Sequence, residues 1–257
     1  MTYLNKPLLV LLSFSLLLFV NCKDAKVDEP SVVDSDTAFT KTIEFNSLDD
    51  LLITADHYHI KNTAPVIVLC HQAGYSRGEY LEIAPKLNAL GFNCIAIDQR
   101  SGGSVNGVLN ETNKRAKAES KGTTYNDAKQ DLTAAVAWAK KTYNKNVILW
   151  GSSYSSSLAL IVAKENSDVE QVLSFSPGEY LNGVSVKTSI TGLDKPAFLS
   201  SAKNEQSQTK ALFDVISSDK KTQFIPNGAG RHGSSCLWKS EADNGEYWVA
   251  VKTFLGV

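Results

Sequence analysis

Apolar runs of strand length alternating with segments of helical spacing constrain the fold of this 257-residue chain more than any other feature. Residues 65–70, 92–98, 146–150, 169–175 and 196–202 are such runs, and 222–226 is a final short one. A run without apolar/polar alternation is what a strand needs when its sheet is covered on both faces, the environment of parallel strands. Helical spacing recurs at 78–90 (stopped by Gly91), 126–141, 153–164, 205–217 and 240–254. Residues 40–46 and 51–60 do alternate and read as a β-hairpin turning at Asn46-Ser47-Leu48-Asp49. The stretch between residues 98 and 126 reads as a long polar loop, and 176–195 as irregular. Strands alternating with helices specify an α/β domain, with a mainly parallel sheet, an amino-terminal β-hairpin and helices on both faces. With 43% hydrophobic residues and no internal repeat or linker, residues 40–257 form one domain.

The amino terminus has a different character. Lys6 precedes an apolar run from Leu8 to Val20, too short to span a bilayer of about 30 Å as a helix and matching the core of an export signal. Cys22 follows directly, as in a bacterial lipoprotein signal whose cysteine becomes the lipidated first residue; Asn21 departs from the usual small residue before it. Residues 1–22 are therefore read as an export signal and 23–39 as a flexible tether, giving an exported protein anchored to a membrane of the cell envelope by lipid. A net charge of −1 without clustered Lys and Arg excludes nucleic acid as a partner. Cys70 and Cys94 fall on buried strands, as small apolar residues or as a disulfide pair. No Cys or His spacing suggests a metal, and no cofactor is expected. His57 and His59 share one face of an edge strand and read as surface residues.

Gly151-Ser152-Ser153-Tyr154-Ser155 lies where the 146–150 strand becomes a helix. Small-x-Ser-x-small at that junction is the pattern of a nucleophile elbow, a turn so tight that the flanking positions admit almost no side chain. Ser153 would present its hydroxyl at the carboxyl edge of the sheet, before a helix amino terminus that favours a developing oxyanion. The alternative is a serine that merely caps the helix. A serine nucleophile needs a base, and the base a carboxylate. Of the four histidines, His232 lies in the glycine-rich Asn227-Gly228-Ala229-Gly230-Arg231-His232-Gly233 loop between the last strand and the last helix, and His71 ends the first core strand.

With these motifs the chain resembles an α/β-hydrolase of the dienelactone-hydrolase-like or small serine esterase branch, over residues 40–257. The order of Ser153 before His232 fits that family, and His71-Gln72-Ala73-Gly74 resembles its His-Gly-x-Gly loop. The resemblance implies an oxyanion hole from the N–H of Ala73, or of its neighbour Gln72, with that of Tyr154. It makes His71 a structural residue, and Asp98 part of a structural turn in Asp98-Gln99-Arg100-Ser101-Gly102-Gly103. The family acid falls at Asn204 or Glu205, of which Glu205 can stabilise an imidazolium. Ser155 stands where the family's elbow has glycine, and Ser153 where dienelactone hydrolases proper have cysteine. The implied function is hydrolysis of a carboxylic ester through Ser153, His232 and Glu205 and an acyl-enzyme, with peptidase and thioesterase chemistry open to the same groups. Only 101–124 and 176–195 can overhang the site, so there is no large lid and the pocket is shallow, suited to a small-molecule or surface-exposed ester. The alternative from another class is a surface lipoprotein that keeps the fold for binding alone.

Overall fold

The computed structural model describes residues 1–2 and 36–257. The expected export signal with its lipidation cysteine Cys22, and most of the tether, lie outside the described residues. In chain order the elements are β1 (Phe39–Asn46), β2 (Leu52–His59), β3 (Val66–Cys70), α1 (Ile83–Ala89) and β4 (Asn93–Ile97). Next come β5 (Ser104–Val105), β6 (Val108–Leu109), α2 (Glu111–Ala118), α3 (Lys129–Tyr143), β7 (Val147–Ser152) and α4 (Tyr154–Glu165). The chain closes with β8 (Val169–Phe175), α5 (Val186–Ile190), β9 (Ala197–Ser200), α6 (Gln206–Phe213), β10 (Lys221–Phe224) and α7 (Asn244–Leu255).

Eight strands form one sheet in the order β1-β2-β4-β3-β7-β8-β9-β10. The β1–β2 and β2–β4 pairs are antiparallel and the rest parallel. Period-two alternation divides the apolar residues between two cores. Val66, Val68 and Cys70 with Val147 and Leu149 face α3 and α4, while Ile67, Leu69, Ile148 and Trp150 face α1 and α7. Both faces of each central strand are thus covered, which is why these runs carry no polar alternation. In β1, Phe39 pairs with His59, and along β2 Tyr58 pairs with Cys94 near the start of β4. The chain therefore enters the sheet at the amino ends of its parallel strands.

Four expectations change and one open alternative, that of the cysteines, is decided; the first change is that the 176–195 stretch read as irregular contains α5. The 78–90 helix is broken into a 3₁₀ turn, Arg77–Tyr80, and α1. Pro85 forces the break: it has no N–H and its ring collides with the carbonyl four residues back, so it is tolerated only in a first turn, where α1 places it. The polar loop contains α2, capped by Asn110 Oδ1 accepting from the Asn113 N–H at 2.7 Å. Cys70 and Cys94 are free and buried, because the register sets Cys94 beside Ile67 and Cys70 beside Ile97. His57 and His59 are buried rather than superficial, since β2 lies inside the sheet between β1 and β4. Both rings bond the Tyr143 hydroxyl, at 2.6 and 2.8 Å, and desolvation, with the nearby His59 and Lys41, lowers His57 to about 3.

Arg100, whose side chain is 1% exposed, gathers the turn after β4. Its guanidinium binds Asp131 on α3 (Nη2–Oδ1 2.8 Å) and both carboxylate oxygens of Asp49 in the β1–β2 turn. Two charge pairs to one planar fork offset the cost of burying the cation.

Candidate active site

Ser153 occupies the sharp turn between β7 and α4 at φ 59°, ψ −125°. A non-glycine residue held there is strained, and the strain lifts its side chain off the sheet edge. Two neighbours make the turn possible. A Cβ on Gly151 would lie 2.4 Å from Ser156 Cα and 2.5 Å from the Ser155 carbonyl oxygen, so only glycine fits. Ser155 sends its hydroxyl to the carboxyl end of β3, within hydrogen-bonding distance of the Cys70 (2.7 Å) and His71 (2.9 Å) carbonyls. The hydroxyl that departs from the family glycine fastens the elbow to the neighbouring loop.

Three loops at the carboxyl ends of β7, β9 and β10 converge. The His232 ring lies between Ser153 and Glu205, with Nε2 2.7 Å from Ser153 Oγ and Nδ1 2.5 Å from Glu205 Oε1. Burial alone would raise the Glu205 carboxyl, but hydrogen bonds from His232 and Ser176 outweigh it and hold the group below its ordinary value. Asn204, the alternative acid position, is exposed in the 3₁₀ turn Lys203–Glu205. The His232 loop is fixed on both sides. The Lys203 N–H donates to the Ala229 carbonyl at 2.9 Å, and the Gly230 N–H to Asp243 at 2.8 Å. Gly230, at φ 68°, lets the Tyr247 hydroxyl approach where a Cβ would stand 2.3 Å away.

Opposite the elbow is the loop after β3. The Gln72 N–H donates to Glu79 Oε2 at 2.8 Å, whereas neither the Ala73 nor the Tyr154 N–H has an acceptor among the described residues. His71 holds this loop through both ring nitrogens. Its Nε2 accepts the Gln99 N–H at 3.0 Å, leaving Nδ1–H to donate to the Gln72 carbonyl at 2.8 Å. Burial pushes this neutral imidazole down to about 4. Asp98 accepts from the Arg77 backbone and guanidinium and from the Glu111 N–H, a structural arrangement.

Three surrounding residues gave no sequence signal of their own. Ser176, at φ 55°, donates to Glu205 Oε2 at 2.7 Å and accepts the Gly233 N–H at 2.9 Å. Glu79 is fully buried below the elbow, and the Tyr180 and His232 rings stand nearly perpendicular, with centroids 6.5 Å apart. Ser101, Thr123 and Thr124 of the first segment and Tyr180 and Asn182 of the second lie at this edge, and the Asn126 amide, just beyond the first, donates to the Asn182 carbonyl at 2.8 Å. Between them is an open groove of about 250 Å³ lined by Ser101, Thr123, Thr124, Tyr125, Asn126, Tyr180 and Asn182. None of these side chains is charged. Tyr125 stacks on Tyr154 at 4.3 Å, which puts the groove beside the elbow.

The sequence profile of the serine aminopeptidase S33 family of hydrolases matches residues 61–225. No curated protein matches the sequence. Among solved structures, a dienelactone hydrolase of Anabaena variabilis superposes with a TM-score of 0.66 at 14% identity, covering 85% of this chain and 97% of that one. An esterase of Pyrococcus furiosus gives 0.66 at 17% identity over 85% and 92%. Acetyl xylan esterase 1 of a Thermoanaerobacterium species gives 0.62 at 15% identity over 89% and 86%. At these identities the likeness is one of fold: the mostly parallel sheet with helices on both faces.

Proposed function

Because the chain belongs to the serine aminopeptidase S33 family of α/β-hydrolases, we propose that it cleaves carboxylic esters by acyl transfer from Ser153 to water. The observation that carries this reading is the unbroken line from Ser153 Oγ through the His232 ring to Glu205, two contacts of 2.7 and 2.5 Å. His232 Nε2 takes the hydroxyl proton as Ser153 Oγ bonds to the ester carbonyl carbon. The oxyanion that forms is met by the N–H groups of Ala73 and Tyr154, each worth about 3 kcal/mol by precedent. Collapse expels the alcohol, which leaves with the proton from His232. Water then repeats the sequence on the acyl-enzyme, giving its proton to His232, and Ser153 recovers a proton as the acid departs. Glu205 orients the ring and stabilises its cation.

The groove favours an ester over a peptide. The groove beside the elbow is lined by seven uncharged residues, which supports a neutral substrate moiety over a charged one. Hydroxyl, amide and phenol groups suit a neutral acyl or alcohol moiety. A fluorophosphonate probe should label the protein, and Ser153→Ala should abolish labelling with a native circular dichroism spectrum. Labelling that persists, or moves to Ser152, refutes the assignment, and an unreactive wild type favours a binding protein. Hydrolysis of p-nitrophenyl acetate should exceed that of an aminoacyl p-nitroanilide. The reverse order would restore the peptidase reading.

The proposal includes export of residues 40–257 as one domain on a short tether, anchored by lipid at Cys22. The support is the apolar run ending at that cysteine. Incorporation of a fatty-acid analogue that survives Cys22→Ala would overturn it.

A further inference from the structure

Glu79 is a carboxylate with no exposure and no cationic partner among the described residues. Such a group burdens a fold, because removal from water costs several kcal/mol that no counter-charge repays. Three of its contacts, and one made by its partner Ser152, explain why it is there. Oε2 accepts the Gln72 N–H at 2.8 Å and Oε1 accepts the Ser152 hydroxyl at 2.7 Å. That same Ser152 oxygen accepts the Ser234 N–H at 2.8 Å, and the Glu79 carbonyl accepts Trp238 Nε1 at 2.8 Å. Gln72 belongs to the loop after β3, Ser152 precedes the proposed nucleophile, and Ser234 and Trp238 follow His232. One residue ties together the three loops that must keep register for acyl transfer.

We propose, resting on the hydrolase reading above, that Glu79 is a positioning residue that withholds the Gln72 N–H from the oxyanion site, so that the Ala73 N–H serves there, and that locks the histidine loop to the nucleophile strand through Ser152. The arrangement present is that of the ionised form. A carboxylate accepts from both the Gln72 N–H and the Ser152 hydroxyl, whereas a protonated or amide group turns one of those positions into a donor, so that Ser152 must turn its proton away and the bond between them reverses. Burial raises this carboxyl to about 7, despite the bonds from Ser152 and Gln72, so its protonation would alter these contacts near neutral pH. The titratable groups facing it are His232, Tyr80 and Cys236, and burial pushes the last two well up, leaving them neutral.

Glu79→Gln in the full chain separates positioning from structural support. The variant should melt at or above the wild-type temperature at pH 8, because an unpaired buried charge is gone. Its kcat for p-nitrophenyl acetate should nonetheless fall about tenfold or more, with KM within about twofold. The acid limb of log kcat should be steeper than one in the wild type, from two ionisations, and limited to one in the variant. A kcat within about twofold of wild type and an unchanged profile would overturn the proposal. If the variant fails to fold, the wild-type limb decides, and a slope of one overturns it. A wild type that no fluorophosphonate labels defeats the hydrolase reading; wild-type labelling rates in Glu79→Gln defeat this one.

Discussion

Ser153→Gly and Ser153→Ala, compared with each other, measure the strain stored in the elbow. Both variants remove Oγ and its hydrogen bond to His232, so that loss cancels between them, and they differ only in the Cβ held at φ 59°, ψ −125°. Residues forced into such sparsely populated backbone regions cost about 1–3 kcal/mol. Glycine relieves that strain but gives back about 0.4–1 kcal/mol through the greater freedom of its unfolded chain. The glycine variant should therefore be the more stable by about 0.5–2 kcal/mol. For a domain of this size each kcal/mol moves the melting temperature by about 2–4 °C, so the pair should differ by about 1–8 °C. Urea titration followed by tryptophan fluorescence gives the difference directly, provided both variants share one m-value. If Ser153→Ala has the same or the higher midpoint, the turn is unstrained and the account of how Ser153 is raised fails.

Other outcomes follow from the interior. His57 and His71 are held neutral in the fold, depressed to about 3 and about 4, so below about pH 6.5 the unfolded chain binds protons that the native chain does not, and stability falls with pH. Between pH 6 and 4 each should contribute a slope of about 1 kcal/mol per pH unit, and His57→Gln should show a correspondingly shallower dependence of unfolding free energy. Equal slopes would refute the burial argument. Asp131→Asn leaves the Arg100 guanidinium buried with only Asp49 to neutralise it and should cost about 3–5 kcal/mol in urea titration. A loss below about 1 kcal/mol would show the cluster to be dispensable. Gly151→Ala drives a methyl into the backbone of Ser155 and Ser156, which has no flexible end to yield, so it should lose at least about 2 kcal/mol and most probe labelling. Retention of both would mean that the elbow can relax.

The strands were legible because their chemistry is one-sided: a run such as Val66-Ile67-Val68-Leu69-Cys70 has no comfortable place except a sheet buried on both faces. Helix α2 was not legible, since Glu-Thr-Asn-Lys-Arg-Ala-Lys-Ala carries almost no apolar face, and its order comes from the Asn110 cap and contacts with β2. The histidines of β2 were misread because alternation tells which residues share a face, not whether a strand lies inside the sheet or at its rim. At the candidate site, Ser153 and His232 announced themselves through the glycines and small residues their turns require. The sequence left Asn204 and Glu205 as neighbouring positions for the acid and preferred Glu205 only for its charge, because the side-chain direction that separates them depends on the 3₁₀ turn after β9. Glu79 and Ser176 were invisible because they act through long-range contacts, with Ser152 and Glu205, that no local spacing encodes.

The hairpin has a geometric corollary. Phe39 joins the sheet at the amino ends of the parallel strands, while Ser153 stands at their carboxyl ends. A leash fastened to a bilayer through Cys22 would thus grip the molecule from behind. Under the anchoring proposed above, the carboxyl edge that carries Ser153 would stay clear of the point of attachment.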